Sequence, residues 1–417
     1  MRKGFFILIL LALAILLVTL LGRDASPPDV ADLTLPPLTP GEEANAAVFF
    51  REAADNLYCP VDQSVLKEML GGVTNAPQLV TALMASNQHV FAQLDRGLNC
   101  RVCILPEPET DSDMPAEQCR DWTKMGCILA LQAQRELEGG QLDAAAATCE
   151  RLIRFGSLVQ QHSQTLLQFL IGQTILEQGL WHTRLLTQHP EVASSPVQEL
   201  ARQLDLLIPP GELLARPVLA MFHDSASLLD QMKTHPEALM GERADARKTL
   251  FASKLFASAY FFRPNETLAR FAEQHRELLA NLSLPLSSYK KHPAPGLPQT
   301  RVGWLLWWIR PNALGRLMLS FSFFDPVSLG EIQCSAACSW YGTRLMLACR
   351  LHHLKHGAWP SSFVVLVPEY LGGIPTDPYG GTPFRYSREK AMIYAVGTDL
   401  IDDGGKGDDI VYSLVEQ

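Results

Sequence analysis

The stretch CILALQAQRELEGGQLDAAAATCERLIRF, residues 127 to 155, decides the fold class. Apolar residues recur at three- and four-residue spacing on both sides of Gly139-Gly140, which is the signature of two amphipathic helices. The glycine pair stops the first helix and Asp143 opens the second, so the stretch reads as a helical hairpin. The same spacing recurs in FFREAADNLY (49–58) and in SQTLLQFLIGQTILEQGLWHTRLL (163–186). A mainly α chain follows, with a helical domain over residues 43–325.

The hairpin resembles a single tetratricopeptide unit, but no second copy follows at the right period. The chain has 417 residues, 47% of them hydrophobic, which excludes a largely disordered protein. Its net charge of −9, with no basic stripe interleaved with aromatics, argues against a nucleic-acid partner.

At the N-terminus, Arg2 and Lys3 precede seventeen apolar residues, Phe5 to Leu21. A bilayer-spanning helix needs about 20 residues, so residues 1–22 read as a single-pass signal anchor with the bulk of the chain extracytoplasmic. A cleaved signal peptide would leave the chain in the same compartment. Residues 23–42 hold five prolines and read as an extended spacer that lifts the rest off the membrane. Residues 301–324 are also apolar, but Arg310, Pro311, Asn312 and Arg316 divide them into pieces too short to span. Core or interfacial packing is expected there.

Nine cysteines in an oxidising compartment favour disulfides among Cys59, Cys100, Cys103 and Cys119 over a zinc site, because the Cys119/Cys127 spacing does not suit zinc. Cys334, Cys338 and Cys349 lie on a helical stretch and read as buried thiols. The chain carries no G-x-S-x-G elbow, Walker loop or dinucleotide-binding glycine motif. His352 and His356 in HHLKH sit four apart, but no glutamate completes a metalloprotease motif. Their place before Gly357 suits a helix C-terminus, where the dipole favours a partly charged imidazole.

The last ninety residues read as one long helix through residues 331–357, lined on one side by Trp340, Leu347, Leu351 and Leu354. Gly357 and Pro360 end it. Three short β-forming runs follow (PFRY, AMIYAVG and IVYSL), predicting a small antiparallel sheet on the helix. Between the last two runs lies TDLIDDGGKGDDI, with five aspartates (Asp399, Asp402, Asp403, Asp408 and Asp409) among three glycines and one lysine.

Trp359-Pro360, Asp377-Pro378-Tyr379-Gly380 with Pro383-Phe384-Arg385-Tyr386, Gly397-Thr398-Asp399 and Asp408-Asp409-Ile410 stand in order over residues 330–415. This region resembles the globular head of the major pseudopilins of type II secretion systems. The whole chain is similar to families of membrane-anchored proteins in planctomycete-type bacteria that pair a helical domain with this tail. The resemblance implies a pseudopilin-like α+β domain over 326–417 and a Ca²⁺ loop with Asp399, Asp408 and Asp409 as ligands. Asp402 is a further candidate ligand.

Ca²⁺ takes six to eight oxygen ligands, and glycine lets a loop turn its carbonyls inward, so the composition fits on its own terms. A solvated acidic turn is the competing reading. Arg2-Lys3-Gly4-Phe5 resembles a prepilin processing site, although Ile9 stands where that family has glutamate. The expectation is a non-catalytic envelope protein at the bacterial inner membrane, held through residues 5–21. Its calcium-stabilised head would serve as a structural or interaction component related to type II secretion or pilus-like assemblies. The alternative is a hydrolase or ligand-binding module in the helical domain, with the tail only stabilising it.

Overall fold

A computed structural model of the chain describes residues 23–38, 45–105, 115–234, 260–289, 297–321 and 326–415. The helices are α1 (Ala46–Asp55), α2 (Gln63–Leu70), α3 (Pro77–Ser86), α4 (Gln88–Leu98), α5 (Pro115–Glu138), α6 (Leu142–Gln161) and α7 (Leu166–Gln188). They continue as α8 (Ser194–Leu206), α9 (Pro210–Leu213), α10 (Ala215–Thr234), α11 (Pro264–Asn281), α12 (Arg301–Ile309), α13 (Ala313–Phe321) and α14 (Pro326–His356). Strands β1 (Arg385–Ser387), β2 (Met392–Ala395) and β3 (Ile410–Ser413) form one antiparallel sheet in chain order. The mainly helical chain with a small C-terminal antiparallel sheet is as expected. The apolar run 5–21 lies outside the described residues, among which no helix is long and apolar enough to cross a membrane.

The chain divides into two compact units. One holds Met1–Leu35, Val218–Ala280 and Lys290–Ser328; the larger holds Pro36–Pro217, Asn281–Tyr289 and Leu329–Gln417. The larger unit thus joins residues 329–417 with residues 36–217. Helix α14 ties these stretches together. From Leu329 to Leu351 it is enclosed almost all round. Trp340, Leu347 and Leu351 pack with Leu180, Leu186 and Leu200 of α7 and α8. At another point of the helix, the buried Tyr412 ring of β3 lies where a Cβ on Gly342 would be 2.3 Å from it.

Two arginines of α14 find most of their partners inside this packing, with Arg344 Nη1 and Arg350 Nε left buried without one. Arg344 makes two 2.7 Å bonds to Asp205 and donates to the Tyr370 carbonyl at 2.6 Å. Arg350 donates to the carbonyls of His189 and Pro190, just past the end of α7, where a cation complements the helix dipole. Helix α14 and the C-terminal sheet thus pack within the larger helical unit.

The hairpin of α5 and α6 turns at Gly139 and Gly140, the latter with φ of +67°, as the sequence predicts. At the crossing of α6 and α7, Gly156 faces Gly172 so closely that an added Cβ would lie 2.6 Å from the Gly172 carbonyl.

In the smaller unit, residues 24–33 are not a free spacer. Asp24 caps α11 by accepting from the backbone N–H of Asn265 at 2.8 Å and of Glu266 at 3.1 Å. Arg276 grips Asp32 through two 2.7 Å bonds, and Leu33 is buried beside Phe222 and Phe271. Capping and burial override the proline content here. Residues 301–321 break into α12 and α13, as the intervening Arg310-Pro311-Asn312 demands.

His275 of α11 is buried, with its ring 5.5 Å from that of Phe222 and Nδ1 2.8 Å from the Phe271 carbonyl. Burial lowers its pKa below the ordinary 6.5. Below pH 6.5 the unfolded chain therefore takes up a proton that the folded imidazole resists, and stability falls with pH. Thermal melts of the unit should drop from pH 7.5 to 5, with a shallower slope in His275→Phe. Equal slopes would contradict this assignment.

Candidate functional site

The site under test is the loop between β2 and β3, together with the turn that supports it. The support is Asp377, fully buried at 0% exposure. Its Oδ1 accepts from the backbone N–H of Tyr379 at 2.9 Å and of Gly380 at 3.3 Å. Its Oδ2 accepts from Val396 N–H at 2.9 Å and from the Arg385 guanidinium at 3.1 Å. One carboxylate thereby closes the Asp377–Gly380 turn, holds β1 through Arg385 and fixes the exit of β2. The turn is also held by residues 285–289, whose Leu286 and Ser287 amides donate to the carbonyls of Pro378 and Tyr379 at 3.0 Å.

The expected calcium ligands divide. Asp402 is held by the protein itself: its Oδ2 lies 2.6 Å from Arg385 Nε and its Oδ1 accepts from Gly404 N–H. The guanidinium, with the Gly404 amide, holds this carboxyl below the usual carboxylate range. Arg385 therefore bridges Asp377 and Asp402, and the exposed carboxylate already has its cation.

Asp409 is a hub: Oδ2 accepts from the N–H groups of Asp403 at 3.0 Å and Gly405 at 2.8 Å, whereas its buried Oδ1 has no partner. Asp399 accepts from Ile401 N–H at 3.0 Å. The Asp408 backbone is fixed by close contact at Gly397, where an added Cβ would be 1.9 Å from its carbonyl oxygen. Among the described residues, Asp399, Asp408 and Asp409 pair with no cation, and no three acidic, His or Cys side chains converge as a metal would require. The loop thus holds one orphaned buried oxygen and three further carboxylates without a cation, at Asp399, Asp403 and Asp408, but does not gather them. Its glycines at 404, 405 and 407 take positive φ, conformations that strain other residues.

The histidine pair is structural. The rings of His352 and His356 lie 4.5 Å apart, tilted by 39°, and His352 Nδ1 lies 3.0 Å from the Ala358 carbonyl beyond the helix end. Gly357, with φ of +68°, donates to the His353 carbonyl as a helix-ending glycine does.

The disulfide expectation is also corrected. Cys59 and Cys100 are free thiols lying near the carbonyls of Val61 and Arg96. Cys103 is buried in the core, and the side chain of Cys119 lies outside the described residues. Cys334, Cys338 and Cys349 are buried free thiols, as expected. Burial pushes Cys338 up to about 12, so it stays protonated and packs as a small apolar residue.

One feature escaped sequence reasoning. A groove of about 900 Å³ runs between α3, α4, α5 and α6. Arg151 on its wall is paired with Asp95 at 2.7 and 2.9 Å. The exposed Arg135 donates to Thr81 at 2.8 Å and has no carboxylate partner among the described residues. These residues come from four helices and share no sequence motif, so no local pattern could have announced them. Comparison of the chain with protein-family models, curated proteins and solved structures finds no match.

Proposed function

We propose that this chain is a non-catalytic envelope protein, anchored by residues 5–21 at a bacterial inner membrane with its bulk extracytoplasmic. Its C-terminal helix and sheet would present a calcium-stabilised, pseudopilin-like surface to protein partners in an assembly related to type II secretion. One observation carries the calcium part of this reading. The buried Asp409 Oδ1 lacks a donor in a loop where Asp399 and Asp408 also lack a cation. Calcium would take these three carboxylates together with loop carbonyls, a donor set suited to a hard cation. Because the three do not converge, ion binding is coupled to tightening of the loop.

The test is a thermal melt of the full-length chain in detergent, with calcium and then with chelator. Calcium at a hundredfold over its dissociation constant should stabilise the wild type by about 2.7 kcal/mol, and Asp399→Ala/Asp408→Ala should lose the response. Identical melts for the wild type in calcium and in chelator would sink the calcium reading.

The groove on the helical side supports a second reading, a ligand-binding module. Arg135 offers a charge-assisted contact to a carboxylate or similar anion, with Met84 and Phe91 supplying apolar wall. A ligand of that kind should lose affinity in Arg135→Ala without any change in the calcium response.

A further inference from the structure

After its first residue, Arg301, helix α12 (RVGWLLWWI) is apolar all round, yet only one of its faces is even half-buried. The covered face is fixed to α13. The Trp307 indole N–H donates to the Ala313 carbonyl at 3.2 Å, and the Arg316 guanidinium lies 4.9 Å from the Trp307 ring centre. Arg316 also donates to the carbonyls of Trp307 at 2.7 Å and Pro311 at 2.9 Å. The other face carries Val302, Leu305 and Leu306 at i, i+3 and i+4, exposed by 66, 62 and 54%. A stripe of large aliphatic side chains turned to water marks an interaction surface.

Two further observations identify what meets it. The first is charge. From residue 278 to 324 the sequence contains no Asp or Glu but five Lys or Arg (Lys290, Lys291, Arg301, Arg310 and Arg316), in a chain of net charge −9. Arg301 and Arg310 bracket the exposed stripe and are themselves exposed. An apolar face with basic flanks and several indoles is the composition of a helix lying in the plane of an anionic lipid surface.

The second observation is attachment. Asp24, three residues beyond the end of the apolar run, is locked onto α11 in the same compact unit as α12. Three residues of chain reach about 10 Å. A run seated in the bilayer would therefore keep this unit at the membrane surface.

We infer that α12 is a second membrane contact, docking Val302, Leu305 and Leu306 into the headgroup boundary while Arg301 and Arg310 meet anionic headgroups. The inference rests on the anchor reading for the location of the unit, but its chemistry is that of α12 itself.

The test places a photoreactive diazirine amino acid at Leu305 of the full-length chain in vesicles of phosphatidylcholine and phosphatidylglycerol. Val73, 79% exposed in the other unit, is the control position. Both positions are solvent-exposed, so neither substitution disturbs a core. Lipid adducts at 305 and none above background at 73 are expected, with loss of the 305 adduct when phosphatidylglycerol is omitted at raised salt. Adducts at 305 to protein (a second copy, or residues 5–21 of the same chain), adducts at both positions, or none at 305 would overturn the inference. Alkaline extraction of the unsubstituted chain tests the anchor separately. Release from the membrane sinks the anchor reading, whereas lipid adducts at 305 still support the α12 contact.

Discussion

Asp377→Asn should destabilise the larger unit by about 3 kcal/mol, although the substitution keeps the shape of the side chain. Asp377 accepts four hydrogen bonds and donates none: two on Oδ1 from the turn amides and two on Oδ2 from Val396 and Arg385. An asparagine must point its NH₂ at one of these pairs, setting donor against donor at a site with no exposure. Each orphaned buried donor costs about 1 to 3 kcal/mol. Arg385 is 24% exposed, so water softens the loss of the ion pair and the amides dominate. By contrast, Asp399→Asn touches one exposed contact and should stay within about 0.5 kcal/mol in chelator. Denaturant unfolding of both variants checks the ranking. Equal, small effects would mean that the Asp377 turn does not hold the sheet.

Gly156→Ala should cost about 3 kcal/mol or more, against the usual direction of that change. At an open position inside a helix, alanine is about 1 kcal/mol better than glycine. At Gly156 the added Cβ would sit 2.4 Å from Leu176 N, 2.6 Å from Gly172 O and 2.7 Å from Leu176 Cα. All three are backbone atoms of α7, which cannot swing aside as a flexible side chain can. The helices must separate, and the buried contacts around Leu152, Ile153 and Leu176 open with them. With total stabilities of about 5 to 15 kcal/mol, a much reduced melting temperature and soluble yield are expected. A variant as stable as wild type would show that α6 and α7 do not cross this closely.

Local signals carried most of the secondary structure. Gly139-Gly140 and Gly357 mark chain reversals because helix-ending glycine is a local conformational demand. The three strands and their order followed from alternating runs separated by turn residues. What did not show was set by partners distant in sequence. The pairing of Asp402 with Arg385, seventeen residues earlier, could not be read from the five aspartates alone. The Pro-rich stretch from residue 24 looked like a spacer, because nothing nearby discloses that Asp24 caps a helix more than two hundred residues away. The all-round burial of α14 was not legible either, because the acceptors of its arginines, Asp205 and the residues just past α7, lie on other elements. Asp377 was legible as a turn residue, but its burial, and so its weight in stability, was not.

Amide hydrogen exchange across residues 376–414 of the full-length chain, with calcium and with chelator, is the most direct measurement of the central claim. The amides of Tyr379, Gly380 and Val396, bonded to Asp377, should be strongly protected in both conditions. Residues 399–409 should exchange quickly in chelator and become protected on adding calcium, as Asp399, Asp408 and Asp409 draw together. Loop exchange that is the same in both conditions would contradict the account and leave a solvated acidic turn held by Arg385 and its own backbone.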